Sequence, residues 1–330
     1  MNTAVAPSTR PPPAQPLLAR LPVTLFASVM GVAGLAVAWQ RGAHVLDLPA
    51  AVGAAIGLLA ALMYLVIAAI YLAKWRSHRG AVVSECHHPV RSAMVPTMSI
   101  GLLLLAIVAI HAGLPDIARV LWSVGTLAHL VLTLAIVGRW ITRTDLEHAH
   151  ANPAWFIPAV GNVLVPLAGV RLGYEAVSWL FFGIGMGFWL VLLPIVFGRL
   201  FFAEPLPERM RPLLFILIAP PAIGFLSYVL LTDKLDAAAH VLYGFGAFLT
   251  LLLLSQARQF IRLPFFISWW GYTFPLAAIT VATLAMAERT SLAMYRGASA
   301  VLLVLATAVI GWVFVRTAAA FVRGDSQFLE

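Results

Sequence analysis

The sequence predicts an all-α integral membrane fold, ten transmembrane helices paired as five hairpins, and three observations lead there. Of 330 residues, 62% are hydrophobic and only 10% charged, with mean hydropathy +0.95; such a chain cannot cover a soluble surface. The apolar residues gather in stretches of roughly 20, the length a helix needs to cross a hydrocarbon core. Prolines recur on alternate stretches, which marks a repeated two-helix plan.

Residues 1–20, with Pro11, Pro12 and Pro13 in series, are expected to be a disordered cytoplasmic tail rather than a secretory signal. Spans are then expected at about 22–40, 50–74, 91–111, 117–141 and 153–170, followed by about 175–201, 210–232, 235–259, 263–287 and 292–322. Residues 21–323 thus form one transmembrane domain, and 324–330 a second cytoplasmic tail. Connections this short make sequential helices antiparallel neighbours.

Alternate loops carry unequal charge. One side holds fifteen and the other six of the 21 Lys and Arg, so both termini are expected in the cytoplasm. The net charge of +8 is spread through these loops without an aromatic-interleaved patch, so it reads as a topology signal and not as a nucleic-acid surface. A lone cysteine, Cys86, excludes an internal disulfide framework and paired CxxC zinc spacing.

Pro96, Pro158 with Pro166, Pro220 with Pro221, and Pro275 all fall on odd-numbered spans, whereas the even spans have Pro194 alone. A broken helix belongs where its freed carbonyls meet water or protein, so odd helices are expected to line a central cavity and even helices to face outward. In the ninth span Pro275 should kink the helix and bare the Gly271 carbonyl. The face through Gly271, Phe274, Ala278, Val281 and Ala285 sets one large ring among mostly small side chains. It reads as a narrow passage with a plug, or alternatively as a close-packed helix interface.

Between their ends the odd spans offer only mild polar groups: Thr24, Ser28, Thr97, Ser99, Asn162, Ser227, Thr273 and Thr280. A passage so lined suits weak, permissive conduction and disfavours proton relays built on carboxylates. Attraction for anions would come from a basic mouth formed by Arg91, Arg209 and Arg211.

Other motifs carry less chemistry. Cys86-His87-His88 and Glu147-His148-Ala149-His150 match no closed metal pattern and read as solvated loops, so no metal or cofactor is expected. His129 and His240 lie on even spans, where ordinary polar packing competes with a bis-histidine haem. Gly183, Gly185 and Gly187 spell GxGxG inside an apolar helix with no preceding strand, so Gly183 with Gly187 reads as a close-packing step against another helix or subunit. No nucleophile, base and orienter assemble, so the chain is not expected to be an enzyme.

The segments MGVAGLAVAW, HHPVR, NPAWFIPAVGN, YEAVSWLFFGIGM and YTFPLA, in that order along nearly the whole chain, resemble the tellurite-resistance and C4-dicarboxylate transporter family. That family includes the plant guard-cell slow anion channels. The resemblance implies a quasi-fivefold ring of five hairpins, one pore per subunit and a homotrimer in the bacterial inner membrane. It also implies that Phe274, at the family's phenylalanine position in YTFP, occludes the pore. Phe26 and Phe215 join Pro96, Thr97, Pro158, Asn162, Pro220, Gly271, Pro275 and Ala278 as the expected pore-lining or kink residues. Two positions depart from the family: Val29 stands where some relatives have proline, and Leu193 where at least one has an acid. The expected function is a passive channel for chloride, nitrate and related small anions. The alternatives are a carrier for C4-dicarboxylates, sulphite or tellurite-type oxyanions, and a haem-bearing membrane oxidoreductase.

Overall fold

Each apolar stretch becomes helix in the computed structural model, which describes residues 16–325. Among the described residues nine helices are long and apolar enough to cross a membrane. These are α1 (Val23–Val45), α2 (Ala50–Ser77), α3 (Arg91–His111), α4 (Pro115–Thr142), α6 (Glu175–Phe202), α7 (Glu208–Thr232), α8 (Ala237–Ser255), α9 (Ile267–Thr290) and α10 (Ala293–Val322), with the shorter apolar segment Pro153–Gly169 as α5. The expected fifth span, about 153–170, matches α5 to within one residue, and it is broken into short helical pieces. Of the expected tails, 1–15 and 326–330 lie outside the described residues, and Leu17–Arg20 forms one helical turn.

Burial alternates along the chain. The apolar windows of α1, α3, α7 and α9 are 83 to 94% buried, whereas those of α2, α4, α6, α8 and α10 are only 11 to 33% buried. What the even helices expose is apolar, including Leu65, Leu127, Leu190, Leu251 and Val304, and a large apolar exterior is stable only against lipid or another protein surface. Consecutive helices pack as pairs: α1 with α2, α3 with α4, α5 with α6, α7 with α8, and α9 with α10. The odd members also touch in succession, α1 to α3, α3 to α5, α5 to α7 and α7 to α9, and α9 returns to α1.

The odd helices are broken by a change of winding. Each contains a 3-10 stretch: Val23–Leu25, Arg91–Met94, Gly161–Leu164, Glu208–Ile218 and Ile267–Tyr272. In α3, α5, α7 and α9 the α-helical part then starts at or beside proline. Pro96 immediately precedes Thr97–His111, Pro166 opens Val165–Gly169, Pro220 and Pro221 lie in the first turn of Ala219–Thr232, and Pro275 in that of Thr273–Thr290. A first-turn N–H has no intrahelical acceptor, so proline there removes no bond. The kink expected within one continuous α-helix at Pro275 is instead a 3-10 to α junction.

Side chains cover the junction carbonyls. Ser28 Oγ donates to the Leu25 carbonyl at 2.6 Å, Thr97 Oγ1 to Met94 at 2.6 Å, Asn162 Nδ2 to Ala159 at 2.8 Å and Thr273 Oγ1 to Trp270 at 2.7 Å. All four reach back three residues. Protein, rather than water, satisfies these backbone groups in the membrane.

The repeat is also written in the turns. One left-handed residue follows each odd helix: Asp47 after α1, Gly113 after α3, Gly173 after α5, Asp233 after α7 and Ser291 after α9. That conformation ends a helix abruptly and sends the chain back antiparallel. Three of the five are not glycine and adopt it at a steric cost.

Two interior features differ from expectation. In α6 it is Gly185 that makes the close approach, a Cβ there standing 2.6 Å from Val163 Cγ1, whereas a Cβ on Gly183 or Gly187 would meet nothing of another helix within 4 Å among the described residues. Near the arginine-rich face Lys74 is 1% exposed and its Nζ lies 3.0 Å from Glu85 Oε1 and 2.7 Å from the Leu21 carbonyl it donates to. Tyr71 donates to the other Glu85 oxygen at 2.9 Å. This buried pair ties the entrance of α1 to the linker between α2 and α3.

Candidate pore

The odd segments enclose a central cavity of about 60 Å³. Every one of them contributes to it: Thr24, Ala27 and Met30 from α1, Thr97 and Ile100 from α3, Ile157 and Gly161 from α5, Ile216 and Pro220 from α7, and Ser268, Trp270, Gly271, Phe274 and Pro275 from α9. A second cavity of about 470 Å³ opens at the opposite ends of the same segments, beginning at Val37, Ile107, Leu167, Leu226 and Val281. The two are interrupted between Met30 and Val37 along α1 and between Pro275 and Val281 along α9.

Phe274 stands at that interruption. A Cβ placed on Gly34 of α1 would lie 3.3 Å from Phe274 Cδ2 and 3.1 Å from Ala277 Cβ. The absence of a side chain at Gly34 is what lets the ring seat there. Ala278, buried and one helical turn beyond Phe274, occupies the same interval.

The central lining is more apolar than the sequence suggested. Thr24, Thr97 and Ser268 are its hydroxyl groups, and among the described residues no charged side chain lines it. The other mild polar groups are committed to backbone: Ser99 donates to the Pro96 carbonyl, Ser227 to Val163, and Thr280 to Leu276. Ser268 Oγ has no protein partner among the described residues, so it is available to whatever enters the cavity.

Of the residues singled out in the sequence, Phe274, Thr97, Pro220, Gly271 and Pro275 line this cavity. Phe26 is fully buried on the α2 side, edge-on to Tyr64 and Tyr71 with ring centroids 5.5 and 6.0 Å away. Phe215 packs against Phe260 and Tyr272 at 5.1 and 4.8 Å and lines an apolar groove toward α8 and α10. Asn162 turns toward α4, donating to Thr133 Oγ1 at 3.1 Å, and the Pro158 carbonyl accepts from the same hydroxyl at 2.6 Å. Pro96 sits at its helix junction. Arg91 and Arg209 line a separate recess with Lys74 and Glu85, and Arg211 donates to the Leu206 carbonyl at 3.2 Å. Met30, Ile100, Ile157, Ile216 and Trp270 are lining residues that sequence reasoning did not select.

The histidines do not converge on a haem. His129 is fully buried with Nδ1 2.9 Å from Ser99 Oγ, whereas His240 is exposed on α8 with Nδ1 2.8 Å from the Asp236 carbonyl. His88 and His150 cap loops, each accepting backbone N–H bonds at Nδ1.

Buried and exposed apolar helices in alternation, with an uncharged cavity enclosed by the buried set, define a multi-pass helical membrane protein. The chain belongs to the voltage-dependent anion channel family, whose family model matches residues 20–318. Among its relatives is the S-type anion channel SLAH3 of Arabidopsis thaliana, 29% identical over 308 residues, which cover 92% of this chain and 48% of the relative. The guard cell S-type anion channel SLAC1 of the same plant is 24% identical over 311 residues, covering 92% of this chain and 56% of that one. The tellurite resistance protein TehA homolog of Haemophilus influenzae is 25% identical over 261 residues, covering 78% and 79%. The chain spans about half the length of the plant relatives it matches. The family resemblance read from the sequence therefore holds, and the family is one of anion channels and transporters rather than enzymes.

Proposed function

We propose that this chain is a passive channel for chloride, nitrate and related small anions, closed by Phe274. On this reading α5 counts as a tenth span, the closed circuit of odd-helix contacts is a quasi-fivefold ring of hairpins, and the two cavities are the halves of one conduction path. One observation carries it: all five odd segments line both cavities, and the path is interrupted where Phe274 meets Gly34. An apolar constriction of this kind stops ions by dewetting as well as by contact. Opening requires the ring to leave its seat.

The lopsided base count supports an inner-membrane protein with both termini in the cytoplasm. The homotrimer follows from the family resemblance, and the open Gly183 and Gly187 positions on α6 offer a face for close helix contact.

The test is anion current across a bilayer at symmetric pH, for the wild type and Phe274→Ala at matched protein amounts. Truncation removes the plug without adding charge, so strong chloride or nitrate current in the variant and near silence in the wild type are expected. If neither conducts and both exchange labelled dicarboxylate or sulphite, the protein is a carrier instead.

A further inference from the structure

The second cavity has a charge pattern that the central one lacks. Its mouth holds Arg41 and His44 from the end of α1, His111 from α3, Arg171 just beyond α5, and Glu288 and Arg289 from α9, while α7 contributes only apolar side chains. Two of the three guanidinium groups are compensated. Arg41 Nη2 lies 2.5 Å from Glu288 Oε2, and Arg289 Nη2 lies 2.7 Å from Asp233 Oδ1. Arg171 has no carboxylate within ion-pair distance among the described residues; its Nη1 lies 3.3 Å from His111 Nε2.

That contact fixes the state of the imidazole. His111 Nδ1 is 2.8 Å from the Ile107 carbonyl, which can only accept, so Nδ1 carries the proton. Nε2 is then the lone-pair nitrogen, and Arg171 donates to it. A second proton on His111 would turn Nε2 into a donor and set two cations face to face, with Glu288 already committed to Arg41 and Asp233 to Arg289. An anion seated between Arg171 and Nε2–H would accept from both.

We propose that Arg171 and His111 form a proton-linked capture site for a small inorganic anion at the mouth opposite the arginine-rich loops, holding it before it reaches the Phe274 constriction. The proposal rests on the channel reading. The linkage has a definite sign: bound anion raises the proton affinity of His111, so anion affinity rises as pH falls and declines as His111 loses its proton.

Chloride binding to the purified full chain in detergent tests this without any need for conduction. Chloride NMR line broadening would be measured in the wild type, Arg171→Gln, Arg171→Lys, His111→Gln and the control Arg119→Gln, at about pH 5 and about pH 8, either side of the ordinary imidazole range. The wild type should show protein-dependent broadening that is stronger at the lower pH. Arg171→Gln should weaken binding roughly fivefold, the size of one screened charge pair. Arg171→Lys should keep most of the binding, which separates lost charge from lost fold. His111→Gln should keep some binding but lose its pH dependence, and Arg119→Gln should match the wild type. Wild-type affinity in Arg171→Gln, or an unchanged pH dependence in His111→Gln, would overturn the site. Binding that follows the expected pattern in a protein whose Phe274→Ala variant carries no current would leave the site standing and remove the channel reading.

Discussion

Phe274 of α9 is seated against Gly34 of α1, where a single added carbon would lie 3.3 Å from the ring edge. Gly34 and Phe274 are therefore one structural unit. The ring holds its position because the opposing helix has no side chain there. Gly34→Val overpacks this contact and should destabilise the protein by about 1–3 kcal/mol. In a Phe274→Ala background the ring contact is gone and only the 3.1 Å approach to Ala277 Cβ remains, so the two effects should not be additive. Thermal unfolding of the four variants in one detergent measures the coupling. Simple additivity would mean that the ring does not occupy this seat.

The Lys74–Glu85 pair stabilises the entrance of α1 by a different means. Both groups are almost fully buried, and each has one further hydrogen-bond partner: Glu85 accepts from Tyr71, and Lys74 donates to the Leu21 carbonyl. Removing one charge leaves the other unpaired in a dry site, so Lys74→Met should cost about 3–5 kcal/mol. Removing both, in Lys74→Met with Glu85→Leu, should restore much of that loss. Denaturation midpoints of the two single variants and the double variant decide it; a double variant as unstable as the worse single one would show that packing, rather than charge, dominates here.

The turn after α9 offers a stabilising change. Ser291 holds φ at 55° and its N–H donates to the Ala287 carbonyl at 2.9 Å. A Cβ is strained in that region and glycine is not, so Ser291→Gly should stabilise by about 0.5–1 kcal/mol after the added freedom of the unfolded chain is counted. A raised melting temperature with unchanged spectra is the expected result. Asp233 occupies the same position after α7, but its carboxylate also binds Arg289, so Asp233→Gly should show no such gain.

Hydropathy and proline spacing made the hairpin plan legible because both are imposed locally, by the width of the membrane and by the covalent limits of one residue type. The choice of pore-facing side chains was less legible. Odd helices are buried nearly all round, so no polar stripe separates the cavity side from the packing side, and Phe26 and Phe215 face α2 and α8 although they sit on cavity-lining helices. The hydroxyl groups read as lining are largely spent on carbonyls three or four residues back, a choice set by rotamer and not by composition. Lys74 and Glu85 pair across a turn of chain that sequence spacing does not reveal. Arg171 and His111 lie 60 positions apart, at the ends of helices that meet only when the odd set closes on itself.

His88 gives a pH dependence outside the membrane segments. Burial, followed by the nearby Arg91, Arg209, Arg143 and His150, lowers its pKa below the usual 6.5. Its Nδ1 accepts the Val90 and Arg91 N–H groups at 3.1 and 3.2 Å, so the neutral ring holds the turn that leads into α3. Above the ordinary imidazole pKa both folded and unfolded chains carry a neutral ring, and the contribution is fully present. As pH falls through that value the unfolded chain takes up the proton first, and stability is lost until the folded form protonates at its lower pKa. Replacing the ring by Asn keeps an acceptor for the turn and removes the titration. His88→Asn should therefore flatten the decline of melting temperature between about pH 7 and about pH 5, the interval in which an ordinary histidine charges. The wild-type slope persisting in His88→Asn would assign the acid sensitivity to another group.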